Sequence, residues 1–280
     1  MSPLIGIIGC KGNMGKAFTK LFRKKGVNVM GSDIATKLSN KDVVRTADII
    51  IFSVPISITP ALIEKLAPGA KEGSLLVDLT SIKSPALKAF ERYAQKSCEI
   101  LGLHPMFGPD GVEHLDKQII AFCPVRIGVR TRWLTQFLHQ QGALLRRVTP
   151  AHHDRLMAFI QGMVHLSSIA MGMAFEKLDL DLADTLAFSS PIYRLRLDMV
   201  GRIFHQDAKL YGEIALENPA TKKAMKAYLD AITTLQKRIE EHDQQGFEGD
   251  FNSAAQFLGD FNRKAYERTS RLIERSKNIL

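Results

Sequence analysis

Histidine 104 lies in "GLHPMFGPDG" (residues 102–111), directly after "SCEIL", a short strand pattern. Imidazole is the side chain whose charge changes nearest neutral pH, so a histidine held at a strand end can accept a proton during catalysis. Pro105 disfavours helical backbone at His104, and Gly108-Pro109 repeats the device four residues on. A loop with few backbone options loses little entropy when its side chain is engaged. A lone histidine in a rigid turn is more often structural, so the surrounding residues have to decide. In "VDLTSIKS", Ser81 follows another strand pattern, where its hydroxyl could orient an imidazole. In "HHDRLMAFIQGMVH", Asp154, Met157, Gln161 and His165 recur at spacings of three or four, which predicts one helix face. That mixture of acid, amide and imidazole is not a core stripe. His152 and His153 are adjacent, about 100° apart on a helix, and cannot jointly chelate a metal. In "SSPIYRLRLDMVGR", Arg194, Asp198 and Arg202 stand at i, i+4 and i+8. Spacing alone reads as a solvated Arg–Asp–Arg ladder, worth a few tenths of a kcal/mol per pair, and does not make Arg202 a ligand for a carboxylate.

A second constellation opens the chain. "LIGIIG" runs into "GCKGNMGKAF", a strand followed by a glycine-rich turn that opens a helix. Glycines there let backbone approach a pyrophosphate, whose charge rests on the helix N-terminus. Gly12 and Gly15 fit the G-x-G-x-x-G pattern, Cys10 stands in place of its first glycine, and Gly9 falls one residue early. The next strand pattern ends in Asp33, an acid placed to accept hydrogen bonds from ribose hydroxyls, and no arginine follows it to receive a 2′-phosphate. NAD is therefore the expected cofactor. Gly9, Gly12, Asn13, Met14, Gly15, Asp33, Ser53 and Pro55 are its candidate contacts.

These residues need particular elements to hold them. Up to about residue 149, short apolar runs ("LIGIIG", "VNVMGS", "DIIIFSV", "SLLVDL", "CEILGL", "QIIAFC", "ALLRRV") alternate with amphipathic stretches, the pattern of a parallel sheet covered on both faces. After Thr149-Pro150 the pattern is helical, with breaks at "LDLD", "SSP", "ENPA" and "QQGFEGD" that predict five or six helices. Ser190-Pro191 is a helix start, serine at the cap and proline in the first turn. The expected fold is an α/β Rossmann-type doubly wound domain over 1–149, followed by an all-α domain over 150–280.

Composition bounds the function. The 280 residues are 45% hydrophobic and 24% charged, an ordinary globular balance for two domains. No apolar run of the sequence approaches bilayer length, and "LIGII" is too short for a signal-peptide core. Cys10, Cys98 and Cys123 have neither metal-ligand nor disulfide spacing, so no metal is expected and a reducing, cytoplasmic compartment fits. The net charge of +9 is dispersed without a basic tail or recognition helix, which argues against nucleic acid.

Taken in order behind the glycine loop, "VDLTSIK", "GLHPMFGPDG", "HHDRLMAFIQGMVH" and "SSPIYRLRLDMVGR" closely resemble prephenate dehydrogenase, over nearly the whole chain. The resemblance implies an NAD-dependent oxidative decarboxylation in tyrosine biosynthesis: prephenate loses hydride from C4 to the nicotinamide and carbon dioxide from C1, and aromatisation drives the step. It implies that His104 is the catalytic base for the C4 hydroxyl and that Ser81 orients it. It further implies that Arg202 grips the ring carboxylate, while His165 and Arg194 face the substrate or organise its pocket. The helical half would form a homodimer, with the active site in the cleft between domains. The chain is expected to be monofunctional, without a preceding mutase-like segment or a C-terminal regulatory domain. Arogenate dehydrogenase differs only in a substrate amino group and stays open. A catalytically silent NAD-binding protein of the same fold is the other alternative, and the joint presence of His104, Ser81 and Arg202 argues against it.

Overall fold

The computed structural model describes residues 2–276, which divide into two compact units. The first runs to Ala158 and also takes in Gly212–Ala220; the second comprises Phe159–Tyr211 and the residues from Thr221 onward. The first compact unit thus takes in residues beyond 149 as far as Ala158. The helix that starts at Pro150 keeps His153, Asp154 and Met157 buried in the first unit.

The first unit is built on seven strands: β1 (Ile5–Ile8), β2 (Val29–Ser32), β3 (Ile49–Phe52), β4 (Leu75–Asp78), β5 (Glu99–Pro105), β6 (Ile119–Arg126) and β7 (Leu144–Arg147). They lie in the order β2-β1-β3-β4-β5-β6-β7. The pairs from β2 through β5 are parallel, as the continuous apolar runs predict, but β6 runs antiparallel to β5, and β7 is parallel to β6. The reason lies in the connections. Residues 106–118 carry only a 3-10 turn (Pro109–Glu113), with no helix to cross the sheet, so the chain must return antiparallel. The stiff loop around Phe107–Pro109 is therefore the reversal of the sheet.

Helices α1 (Asn13–Lys24), α2 (Asn40–Thr46), α3 (Thr59–Leu66), α4 (Ser84–Tyr93) and α5 (Val129–Gln140) cover the two faces, and α6 (Pro150–Met157) follows β7. Strand side chains alternate between two cores. Ile5, Ile7, Ile49, Ile51, Leu75 and Val77 meet Phe18 and Phe22 of α1 and Leu134 and Phe137 of α5. Ile8, Ile50, Phe52 and Leu76 meet Val43 of α2, Ile63 of α3 and Leu87 and Phe90 of α4. Each such aliphatic side chain, removed from water, contributes about 1.5–3 kcal/mol.

The second unit is helical: α7 (Val164–Leu178), α8 (Leu182–Ala187), α9 (Pro191–Phe204), α10 (Ala208–Leu216, whose last turns from Gly212 belong to the first unit), α11 (Thr221–Glu240), α12 (Gln244–Leu258) and α13 (Asp260–Ser276). Eight described helices follow Thr149, more than the five or six expected. Left-handed Asp179 falls in the expected "LDLD" break, whereas positive-φ Gly259 and the π turn at Ala158–Met163 cut patterns that read as continuous. Ser190 caps α9 with extended backbone and Pro191 at its first position, but its side chain makes no capping hydrogen bond. Gly172 of α7 lets α9 approach, since a Cβ there would lie 2.2 Å from the Phe204 ring. Between α6 and α7, residues Ala158–Met163 form a π-helical turn, so Pro150–Leu178 is one helical run, long and apolar enough to cross a bilayer by length and composition alone. That qualifies the expectation drawn from the sequence, yet buried His153 and Asp154 tie its start to the sheet unit. The π turn adds about one residue to its stretch of helix, so the three-or-four spacing from Asp154 to His165 does not define a single face.

Two glycines of the first loop are fixed sterically. Gly9 has φ +86°, and a Cβ on it would lie 2.2 Å from the Ser53 carbonyl oxygen, whereas a Cβ on Gly12 would meet nothing nearer than 3.4 Å. Gly9→Ala is expected to lower stability by about 2 kcal/mol or more, from left-handed backbone plus the clash. Gly12→Ala is expected to leave the thermal midpoint of the free protein within about 1 °C, given the small shift per kcal/mol in a chain of this size. Thermal melts of the two variants without ligand check this.

Candidate active site

The strand order reverses between β1 and β3, and in open α/β sheets ligands bind beyond the carboxyl ends of the strands at that point. The glycine loop leaves β1 there. A Cβ on Gly15 would lie 2.1 Å from the Gly9 carbonyl oxygen, so the first turn of α1 can close on the loop only with glycine at that place. Cys10 does not obstruct the approach: its side chain turns to Gly31 of β2, and the left-handed residue the turn needs is Gly9. Asn13 and Met14 begin α1, which has neither an acid in its first turn nor a side-chain cap, leaving its N-terminal face suited to an anion. Asp33 follows β2 and braces the loop, one carboxylate oxygen accepting from the Lys11 N–H (2.9 Å) and the other from its neighbour Ile34 (2.8 Å). The Ile34 side chain stands fully exposed beside it. Ser53 leaves β3 against Gly9, and Pro55 opens a 3-10 turn over Ile56–Ile58. Glu213 secures that turn, accepting from the Ile56 N–H and the Ser57 hydroxyl, each at 2.8 Å.

The second constellation of this unit lies at the ends of β4 and β5. His104, the sixth residue of β5, is only 3% exposed. Its Nδ1 lies 2.9 Å from Nε2 of His153 on α6, and Nδ1 of His153 lies 2.9 Å from the Asp154 carboxylate. That carboxylate also accepts from the Lys83 and Ser84 backbone N–H groups, both at 2.8 Å, at the N-terminus of α4. Asn218, buried, donates to the Asp154 carbonyl oxygen at 2.8 Å. Below the histidine, Lys83 is fully buried, paired with Asp78 and donating to the Leu103 carbonyl oxygen at 2.7 Å.

Burial lowers the His104 pKa well below that of a free histidine, the Lys83 and His153 charges push it the same way, and only Asp154 opposes them. The imidazole is therefore neutral at physiological pH. Burial alone would raise the Asp154 pKa, but the hydrogen bonds from His153, Ser84 and the Lys83 N–H outweigh it, and the carboxyl stays ionised. Ser81, three residues past β4, is half-buried and makes no hydrogen bond among the described residues; the contact on Nδ1 of His104 comes from His153 instead. Neither His153 nor Lys83 stood out in the sequence as a site residue. Setting "HHD" beside "SIKS" would have hinted at both, since a buried acid must find donors.

In the second unit, His165 stacks edge-on against Tyr211 with ring centroids 4.6 Å apart. Burial lowers the pKa of His165 and raises that of Tyr211, which the nearby Arg202 charge draws back down. His165 Nδ1 is buried and without a hydrogen bond among the described residues, which costs about 1–3 kcal/mol until a partner arrives. The ladder read from α9 does not form. Asp198 pairs with neither Arg194 nor Arg202 among the described residues, Arg194 is half-buried, and Arg202 is exposed.

Residues 18–126 match the family model for the prephenate dehydrogenase nucleotide-binding domain, and residues 149–252 match that for the prephenate dehydrogenase dimerization domain. The chain is 35% identical to the T-protein of Haemophilus influenzae, over 98% of this chain and 72% of that protein. It is 36% identical to the T-protein of Enterobacter agglomerans, over 99% and 73%. A probable arogenate/prephenate dehydrogenase of Methanocaldococcus jannaschii is 31% identical over 91% of this chain and 61% of its own length. In fold, the chain is similar to prephenate dehydrogenase from A. aeolicus, with a TM-score of 0.72 at 19% identity over 95% of this chain and 98% of that one. With both domains in order and more than a third of its residues shared over nearly its full length, the chain belongs to the prephenate dehydrogenase family of oxidoreductases.

Proposed function

We propose that the protein catalyses the NAD-dependent oxidative decarboxylation of prephenate to 4-hydroxyphenylpyruvate, with His104 as the base. The observation that carries this reading is His104 itself, a buried neutral imidazole at the carboxyl edge of the sheet that holds the glycine loop. The loop fits a dinucleotide: Gly12 leaves backbone open where a pyrophosphate would lie, and Asp33 stands at the ribose position with no arginine directly after it. A neighbour in fold, the A. aeolicus enzyme, is described in complex with hydroxyphenyl propionate and NAD+. When bound, the nicotinamide supplies the hydride acceptor. The protein's part is then acid–base and electrostatic. Neutral His104 takes the proton of the C4 hydroxyl as that carbon is oxidised, and carbon dioxide leaves C1 with its bonding pair passing into the ring. The proton returns to the phenolic oxygen.

Arg202, accessible and without an ion pair among the described residues, is the candidate for the ring carboxylate, with Arg194 and His165 as further substrate-binding residues. The second unit would form the homodimer: the family model names a dimerization domain there, and α11 exposes Leu229, Ile232, Leu235 and Ile239 at helical spacing. A reducing cytoplasmic location agrees with three free cysteines. The archaeal relative's name keeps arogenate as the second reading.

Purified protein given NAD and either prephenate or arogenate, followed at the reduced-nicotinamide absorbance, is expected to turn over prephenate with the higher kcat/KM; turnover of neither would remove the reading. His104→Asn is expected to lower kcat by about 10²–10⁴, the range of a lost general base, with the NAD dissociation constant nearly unchanged by titration. Arg202→Gln is expected to raise KM for prephenate by about 10- to 100-fold, the worth of a charge-assisted hydrogen bond, and an unchanged KM would place the carboxylate elsewhere. Because the His104 pKa is depressed, the base remains neutral as pH falls through the ordinary histidine value of about 6.5. The acid limb of the kcat/KM profile attributable to His104 is thus expected below that value. A limb above it would assign the base to another group.

A further inference from the structure

We infer that His153 is a positioning residue that fixes the tautomer of His104, leaving the lone pair of the catalytic imidazole on Nε2. The inference rests on the role of His104 proposed above and adds a residue and a proton assignment to it.

The assignment follows from the hydrogen bonds. Asp154 is an acceptor whose carboxylate already takes the Lys83 and Ser84 N–H groups, so the ring nitrogen 2.9 Å from it, His153 Nδ1, must carry a hydrogen. A neutral His153 then has its lone pair on Nε2, which faces His104 Nδ1 at 2.9 Å. Two lone pairs cannot face each other across that distance, so His104 Nδ1 carries the hydrogen and donates it. The remaining nitrogen of His104, Nε2, is left as the acceptor. No proton moves along the chain during the step. His104 gains one at Nε2, while its Nδ1 hydrogen stays shared with His153 and the charge it acquires is offset by Asp154 through the intervening ring.

The opposite arrangement would require His153 to be doubly protonated, donating from both nitrogens. His104 would then accept at Nδ1 and hold its hydrogen on Nε2, and it could not act as a base there. That state would set a second cation in the buried cluster that already holds Lys83 with Asp78, facing Asp154 alone. Two rings meeting edge-on at 73° with centroids 5.1 Å apart also leave His104 little room to turn.

A structural explanation competes, because Asp154 caps α4 and His153 fills core space next to it. The test must therefore read the proton as well as the rate. Nitrogen-15 shifts of labelled histidine, with His104 assigned by comparison with His104→Asn, are expected to show the Nδ1–H tautomer in the parent protein. His153→Leu, which removes the acceptor, is expected to give His104 a mixed or Nε2–H signal. With prephenate and NAD, its kcat is expected to fall by about 10²-fold or more, as for a misdirected base, with both KM values within about threefold. His153→Gln can restore an acceptor near the Nε2 position and is expected to recover part of kcat and the Nδ1–H signal, which also guards against a misfolded leucine variant. An Nε2–H tautomer in the parent protein, or an unchanged tautomer and kcat in both variants, would overturn the inference. Absence of turnover in the parent protein would remove the proposed activity while the tautomer measurement still decided the geometry.

Discussion

The structure of the first unit turns on one buried carboxylate. Asp154 arrives on α6 from the far end of the sheet and ends at the N-terminus of α4, which has no side-chain cap of its own. Open N–H groups and the helix dipole favour an anion there, and desolvation makes each bond costly to lose. Because the same carboxylate orients His153, the capping of a helix and the orientation of a candidate catalytic ring are one interaction. Asn218 fixes the Asp154 backbone as well, which draws the segment Gly212–Ala220 into the sheet unit.

Around this anchor the buried charges form two sets. Lys83 with Asp78 is a closed pair that also satisfies the Leu103 carbonyl, the residue just before His104. Asp154 with His153 is the second. Removing one partner of the Lys83–Asp78 pair would leave a charge uncompensated in the interior, typically costing 3–5 kcal/mol. Both sets hang from main-chain groups of β5 and α4. Their geometry is thereby as rigid as the sheet, which suits a base whose alignment matters to fractions of an ångström.

Much of this was legible in the sequence, and what was not has a physical reason. Continuous apolar runs give β1 through β5 because strands buried on both faces need them. The antiparallel β6 was hidden: its run reads like the others, and direction depends on a connection whose lack of a helix is visible only once Pro109–Glu113 is seen as a 3-10 turn. His104 could be read from its prolines and glycines, and the cofactor loop from its glycines, although the left-handed angle at Gly9 and the freedom at Gly12 needed coordinates. His153 is hidden in the sequence because an adjacent pair of histidines offers no shared chelate, while its contact, His104, lies 49 residues away. The Arg–Asp–Arg spacing of α9 is real, but equal spacing does not make ion pairs when solvent competes for each charge.

The electrostatics of the cluster bear on how a base can work here. A carboxylate base in the same place would be drawn to Lys83 and held there, whereas a neutral imidazole carries no charge for that cation to capture. Lys83 instead raises the energy of the imidazolium, so a proton accepted by His104 is held loosely and readily returned. Asp154, one ring further away, moderates that penalty without removing it. The balance suits a reaction in which the proton leaves a hydroxyl as hydride departs and goes back once the ring is aromatic.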